Sequence, residues 1–333
     1  MVFLREATDL YGSPAYDIMV KCMTTQKDIQ KALQDLGLPK NDLYDLPTSE
    51  KTFPDGAHYR IEISGVERYP VLEALVDEAE KRDVPVHRLI CTVQGASWLP
   101  EDELEAFASL AAEKKMECIM TPGPRALWDI GRQPITPEGI ISGIRYRGMQ
   151  GLIHVIEDMK RCIDIGFRGF LVVDEGLLKV LVALREKNEI IPKDTVFKVS
   201  IFAGHANPAG GQLLQELGAD TFNPVADLTL PQLAAIRQTI DIPIDLHIVL
   251  FGSFGGFNRL YEAPEMARVV SPCYFKIEPG ASVGTMYVPW VDNSEFIRRK
   301  VEYAENLIQI VEKNYPEAKL SNIGPSDLAV PRV

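Results

Sequence analysis

The sequence predicts an α/β fold, a closed (β/α)8 TIM-like barrel with an N-terminal helical extension. Three observations carry this: eight short β-rich runs, amphipathic helical stretches between them, and polar residues that recur on one face of several strands. The 333 residues are about twice the usual domain length of roughly 150, but a barrel of this kind often takes 250 or more as one unit. An open doubly wound sheet is the alternative that strand counting leaves standing.

The runs, in order, are YRIEIS (59–64), VHRLICTV (86–93), ECIMT (117–121), GFLVVD (169–174), VFKVSIF (196–202), DTFNPV (220–225), IDLHIV (244–249) and YFKIE (274–278). Between them YPVLEALVDEAEKR, PEDELEAFASLAAEKK, GLIHVIEDMKRCIDIG, PAGGQLLQELG and LTLPQLAAIRQTI space apolar residues three and four apart, the period of a helix with one buried stripe. Glycines in ELGADTF and IDIGFRGF supply left-handed helix ends. Repeated strand, helix, strand at this spacing favours parallel pairing. TTQKDIQKALQDLGL near the start reads as a capped amphipathic helix, and SEFIRRKVEYAENLIQIVEKN as the last helix of the ring. The expected organisation is an extension over 1–56 that packs on the barrel or closes its base, a barrel over 57–320, and a tail over 321–333.

Composition sets the bounds. The chain is 46% hydrophobic and 25% charged, as ordinary globular proteins are, with a formal net charge of -12. An acidic chain lacks the excess of Lys and Arg that holds nucleic acid or anionic lipid. Cys22, Cys91, Cys118, Cys162 and Cys273 form no C-x-x-C pair, so neither a zinc knuckle nor a disulfide framework is encoded. The opening MVFLREATDLYGSP has early charges and no long apolar run, and no window reaches 18 apolar residues. A soluble, cytoplasmic protein is expected. Its partner is a small-molecule substrate, with no nucleic acid and no membrane, and assembly into a homo-oligomer is compatible with the sequence.

Side chains alternate across a strand, so each strand makes a statement about its two faces. Arg60, Glu62 and Ser64 share one face, as do Lys198 and Ser200, Thr221 and Asn223, Asp245 and His247, and Lys276 and Glu278. The outward face of a barrel strand is covered by helices and should be apolar, so the polar face is predicted to point inward. Charges at that density are costly unless paired or bound to a ligand. A closed structural ion-pair network is the alternative to a chemical site.

Catalytic groups in such barrels project from the carboxyl ends of the strands. The catalytic candidates are Glu62, Lys198, His247 and Lys276. The substrate-binding candidates are Arg60, Arg125, Arg145, His205, Asn207 and Asn223. Arg125 and Arg145, with Arg132 and Arg147, fall in the stretch 122–151, far longer than the usual connection of about 2–6 residues, and Arg suits bidentate capture of carboxylate or phosphate. His205 and Asn207 lie in AGHANPAGGQ, where glycines open a helix. FGSFGGFN after strand seven matches neither a dinucleotide nor a Walker loop and reads as a partly apolar lid, so no nucleotide cofactor is expected.

Two chemistries compete. Asp245, His247 and Glu278, within a wider set that includes Asp174 and Glu175, suit a divalent metal (Mg, Mn or Zn) that would act as Lewis acid or water activator. Without a metal, Lys198 or Lys276 serves as Schiff-base amine or anchor, with His247 or Glu278 as acid and base. No G-x-S-x-G elbow or reactive-cysteine signature appears, which disfavours acyl-enzyme hydrolysis.

Residues 198–248, KVSIFAGHANPAGGQLLQELGADTFNPVADLTLPQLAAIRQTIDIPIDLHI, carry an Asn-containing turn, an ELGA helix end, an LTL-x-x-L-x-x-I helix and an IPIDLHI strand. In these features the chain resembles the middle of the collagenase-like peptidase family of unassigned catalytic type. The resemblance implies a TIM-like barrel and hydrolase or tRNA- and quinone-modification roles. Many members bind an iron–sulfur cluster through cysteines after the matching strand, but IVLFGSFGGFNR has none, so no cluster is expected. The combined expectation is a TIM-barrel lyase or hydrolase acting on a small carboxylate- or carbonyl-bearing substrate, possible metal dependence included. A peptidase-like protein and a non-catalytic ligand-binding or assembly barrel are the alternatives.

Overall fold

A computed structural model describes residues 25–123 and 144–333. The chain divides into two compact units, Met1–Asp42 and Leu43–Val333. In the first, α1 (Gln26–Asp35) starts at a capping box: the Asp28 amide donates to Thr25 Oγ1 at 3.2 Å, and the Thr25 amide donates to Asp28 Oδ2 at 2.8 Å. Two of the four orphan amides of that helix end are thereby satisfied.

The second unit is the barrel. Its strands are β1 (Tyr59–Val66), β2 (Arg88–Cys91), β3 (Glu117–Met120), β4 (Gly169–Val172), β5 (Val196–Val199), β6 (Thr221–Phe222), β7 (Ile244–Leu250) and β8 (Cys273–Glu278). They pair in parallel in sequence order and β8 closes on β1. The intervening helices are α2 (Tyr69–Arg82), α3 (Glu101–Glu113), α4 (Gly148–Ile165), α5 (Glu175–Lys187), α6 (Pro208–Glu216), α7 (Leu230–Thr239) and α8 (Ala263–Val270), followed by the short α9 (Val283–Met286) and the long α10 (Ser294–Asn314). All eight predicted strands are present, and the open sheet is excluded.

The alternation in the sequence sorts the core into two clusters. Ile61, Ile63, Leu89, Phe170, Phe197, Leu246, Phe275 and their neighbours face outward against the helices. A smaller set, Ile90, Val93, Ile119, Leu171, Leu250, Phe251, Met286 and Tyr287, packs separately. By strand parity Ile90, Ile119 and Leu171 lie inside the ring, toward its carboxyl end. Most of the remaining interior positions are polar, among them Glu62, Arg88, Glu117, Lys198, Asp245 and Lys276.

Two strands depart from regular pairing near their carboxyl ends. β1 shifts register against β2 between Ser64 and Val66, at Gly65 with φ +86°, and β7 shifts against β8 between His247 and Val249. Such bulges re-aim side chains and recur beside active sites.

The amino-terminal mouth is closed from both ends of the unit. Phe53, Ala57, Tyr274 and Leu328 form a small apolar plug, Ser49 Oγ donates to the Ser271 carbonyl at 2.5 Å, and Ala329 N donates to Glu117 Oε1 at 3.1 Å. Among the described residues no helix is long and apolar enough to cross a membrane. Cys91, Cys118, Cys162 and Cys273 are buried free thiols, and Cys22 lies outside the described residues.

Candidate active site

The barrel interior is polar in layers. At the base, Arg60 makes a bidentate pair with Asp327 (both contacts 2.8 Å), donates to Ser321 Oγ at 2.9 Å and Tyr274 Oη at 3.1 Å, and lies over the Phe53 ring at 3.9 Å. Arg60, a substrate-binding candidate, is thus placed at the amino-terminal end and saturated by the C-terminal tail.

The middle layer is a ladder of buried charges. Arg88 stacks on the Tyr274 ring at 3.5 Å, donates through Nε to Glu117 Oε2 at 2.5 Å, and donates through a terminal nitrogen to Asp245 Oδ1 at 2.9 Å and Thr221 Oγ1 at 3.2 Å. Lys198 Nζ sits 2.9 Å from Glu62 Oε2 and 2.6 Å from Asp245 Oδ2. Glu62, Lys198 and Asp245 are each 0% exposed. Burial pushes the Asp245 carboxyl up and the Lys198 ammonium down, whereas Glu62 is held below its ordinary value because Lys198, Lys276 and Arg88 together overcome its burial. Arg88 and Glu117 were not singled out from the sequence, although they occupy the inward parity of their short strands.

The upper layer lies at the carboxyl ends of β6, β7 and β8. His247 Nε2 is 2.5 Å from Glu278 Oε2, and Lys276 Nζ is 3.4 Å from that same oxygen and 3.9 Å from Glu62 Oε1. Asn223 Nδ2 lies 3.3 Å from His247 Nδ1 and donates to the Asp245 carbonyl at 2.9 Å. An amide donor facing Nδ1 assigns the ring proton to Nε2, where it points at Glu278. Burial, reinforced by Lys276, lowers the His247 pKa and favours the neutral ring. Burial would raise the Glu278 carboxyl, but Lys276 and the His247 hydrogen bond hold it at about 2. The result is an imidazole of lowered pKa hydrogen-bonded to an ionised carboxylate, with Lys276 beside both.

Ion pairs hold the lower ladder together, yet several buried polar atoms in it and above it lack a hydrogen-bond partner. Glu62 Oε1, Ser64 Oγ, Asn223 Oδ1 and Tyr287 Oη are buried without a hydrogen-bond partner among the described residues. Buried polar atoms are satisfied in the large majority of cases, so such a concentration calls for an explanation in ligand or water.

The proposed metal ligands do not converge. Asp245 is taken by Lys198 and Arg88, while His247 and Glu278 face each other beside Lys276. Among the described residues no three His, Cys, Asp or Glu side chains form a group able to hold a metal ion. Of the other candidates, Arg145 donates to the Val173 carbonyl at 2.6 Å and pairs with Glu175 at 3.2 Å, and His205 Nε2 meets Glu175 at 2.6 Å. These three make a separate cluster after β4 and β5. Asn207 caps α6, accepting from Gly210 N at 2.9 Å, and Asp174 caps α5. Arg125 and Arg132 lie outside the described residues.

The loop after β7 meets the loop after β8: Gly252 and Ser253 amides donate to the Gly280 and Ala281 carbonyls at 2.8 and 2.9 Å, and Phe251 stacks on Phe254. His247, Lys276 and Glu278 are each at most 5% exposed. A cavity of about 300 Å³ touches the ladder from the base, near Phe53, Arg88, Glu117 and Tyr274, on the side opposite the orphaned atoms. We place the site with the orphaned atoms, since the base contacts are saturated.

No family model matches the chain, and no curated protein matches it in sequence. Solved structures share the barrel at low identity. A U32 peptidase is 16% identical over 72% of this chain and 98% of its own, with a TM-score of 0.39. A dihydrodipicolinate synthase is 11% identical over 78% and 79%, with a TM-score of 0.42. A 2,3-dimethylmalate lyase of the PEP mutase/isocitrate lyase superfamily is 14% identical over 87% and 99%, with a TM-score of 0.41. At these values the likeness is one of fold, and the chemistry rests on the side chains.

Proposed function

We propose that this chain is an enzyme of the lyase class that moves a proton at the carbon next to a carbonyl in a small carboxylate-bearing molecule. The observation that carries this reading is the His247 Nε2–Glu278 Oε2 contact at 2.5 Å with Lys276 Nζ 3.4 Å from the same oxygen, amid buried polar atoms without a hydrogen-bond partner among the described residues. In a purely structural network these atoms would be expected to find partners. In this reading Lys276 attracts the substrate carboxylate, and the imidazole takes or returns the proton while Glu278 stabilises the imidazolium that forms. Glu62, Lys198, Arg88 and Asp245 hold these groups in place. Since the three are covered, substrate entry requires the loops after β7 and β8 to part.

The substrate class is tested by thermal unfolding with small 2-oxo acids, such as pyruvate and 2-oxobutyrate, beside their amides and alcohols. A ligand that binds only the folded state raises its stability by mass action, about 2.7 kcal/mol at a hundredfold excess over Kd. The 2-oxo acids are expected to raise the midpoint in the wild type and not in Lys276→Met. An equal shift by the amides, or no shift at millimolar ligand, counts against the reading.

A further inference from the structure

One buried lysine stands apart from the rest. Lys300 belongs to α10, outside the ring of strands, yet it is 1% exposed and its Nζ donates to the Ser64 carbonyl at 2.6 Å. Its four-carbon stem reaches the carboxyl end of β1 because position 65 is glycine: a Cβ there would stand 2.8 Å from Lys300 Nζ. The same Cβ would lie 3.5 Å from the Tyr287 ring, so Lys300 and Tyr287 flank one glycine at the β1 bulge. Next to it are two of the orphaned hydroxyls, Ser64 Oγ and Tyr287 Oη.

The three interior lysines differ in their partners. Lys198 is clamped by Glu62 and Asp245 at 2.9 and 2.6 Å, and Lys276 has Glu278 at 3.4 Å. Lys300 donates to the Ser64 carbonyl and has the Phe296 ring 4.8 Å away. Burial against a carbonyl and a ring disfavours the charged form of an amine and leaves it readier to act as a nucleophile. Burial accordingly lowers Lys300 to about 8, against the opposing fields of Glu278 and Glu67, with Lys276 adding to the depression.

We propose that Lys300 is the amine that captures the substrate carbonyl, forming an imine, with the Ser64 and Tyr287 hydroxyls serving the departing oxygen. The proposal rests on the carbonyl-substrate reading above and deepens it. The neutral Nζ attacks the carbonyl carbon and the C–N bond forms. One amine proton and one proton from the surroundings pass to the oxygen, which leaves as water while the second C–N bond closes. The product is a protonated imine, and no oxidant or reductant is consumed. That cation withdraws electrons from the neighbouring carbon, whose proton His247 then removes.

The test is reductive trapping on the full chain at pH 8 with sodium cyanoborohydride as hydride donor, using formaldehyde and pyruvate as separate probes and peptide mass mapping as readout. Both probes are expected to label Lys300, with pyruvate giving one reduced adduct per chain. Tyr287→Phe is expected to slow the pyruvate adduct at least about tenfold, with an unfolding midpoint near that of the wild type. Absence of formaldehyde label on Lys300, or a pyruvate adduct on Lys276 or Lys198 in its place, overturns the proposal. Formaldehyde on Lys300 with no pyruvate adduct on any lysine keeps the reactive amine and overturns the 2-oxo acid reading.

Discussion

Glu278 shows most directly how single side chains divide their work between stability and chemistry. Its carboxyl is held at about 2 in the folded chain against an ordinary value of 4.5, so it stays ionised in the fold at pH values where the unfolded chain already takes up a proton. A depressed carboxylate contributes stability above its unfolded pKa and loses it as pH falls through the folded value. Unfolding free energy should therefore decline between about pH 5 and pH 2, with Glu278 contributing on the order of 3 kcal/mol of that decline. Denaturant titrations across this range check it: Glu278→Gln should flatten the slope, and an unchanged slope would remove the pairing from the account. At this scale the sequence was informative where strands alternate. Glu62, Lys198, Asp245, His247, Lys276 and Glu278 were all placed on the inward face by parity alone. Parity does not say at which end of a strand a residue sits, so Arg60 at the start of β1 was grouped with residues two layers above it. Lys300 and Tyr287 left no such signal, since a helical lysine and a loop tyrosine normally face solvent or packing.

Among the elements, the bulged carboxyl ends of β1 and β7 do what regular strands cannot. The bulge at Gly65 admits the Lys300 ammonium to the Ser64 carbonyl, and the shift after His247 sets that ring against Glu278. Gly65 has φ +86°, a conformation that costs other residues on the order of 1–3 kcal/mol. Gly65→Ala should lower the unfolding free energy by that amount, seen as a lower denaturation midpoint, and expel the Lys300 amine. An unchanged midpoint would show that neither the backbone nor the contact constrains the position. The helices YPVLEALVDEAEKR and SEFIRRKVEYAENLIQIVEKN appear with the bounds the periodicity predicts, because each carries a full apolar stripe. The shorter α8 and α9 gave too few turns for a period to register. β6 shrinks to Thr221–Phe222, since Pro224 has no amide to extend the ladder.

Taken as a whole, the barrel assigns opposite tasks to its two mouths. The amino-terminal mouth is filled by Phe53, Tyr274 and Leu328 and clasped by the Arg60–Asp327 pair. Here Arg60 is saturated by Asp327, Ser321 and Tyr274. Toward the carboxyl mouth the matching fails at Ser64, Asn223 and Tyr287, beside the pair best suited to move a proton. Closure of the barrel followed from the count of eight strand–helix units, but the distinction between matched and unmatched polar atoms needs coordinates, because it depends on distances across the barrel. The most direct measurement is the rate at which the α-hydrogens of pyruvate exchange with deuterium oxide, followed by proton NMR with wild type and His247→Asn. The expected result is exchange well above the buffer background in the wild type and a loss of about 10²-fold or more in the variant, with both chains folded by circular dichroism. Wild-type exchange no faster than buffer, or equal rates in the two chains, would contradict the assignment of proton transfer to His247 and Glu278.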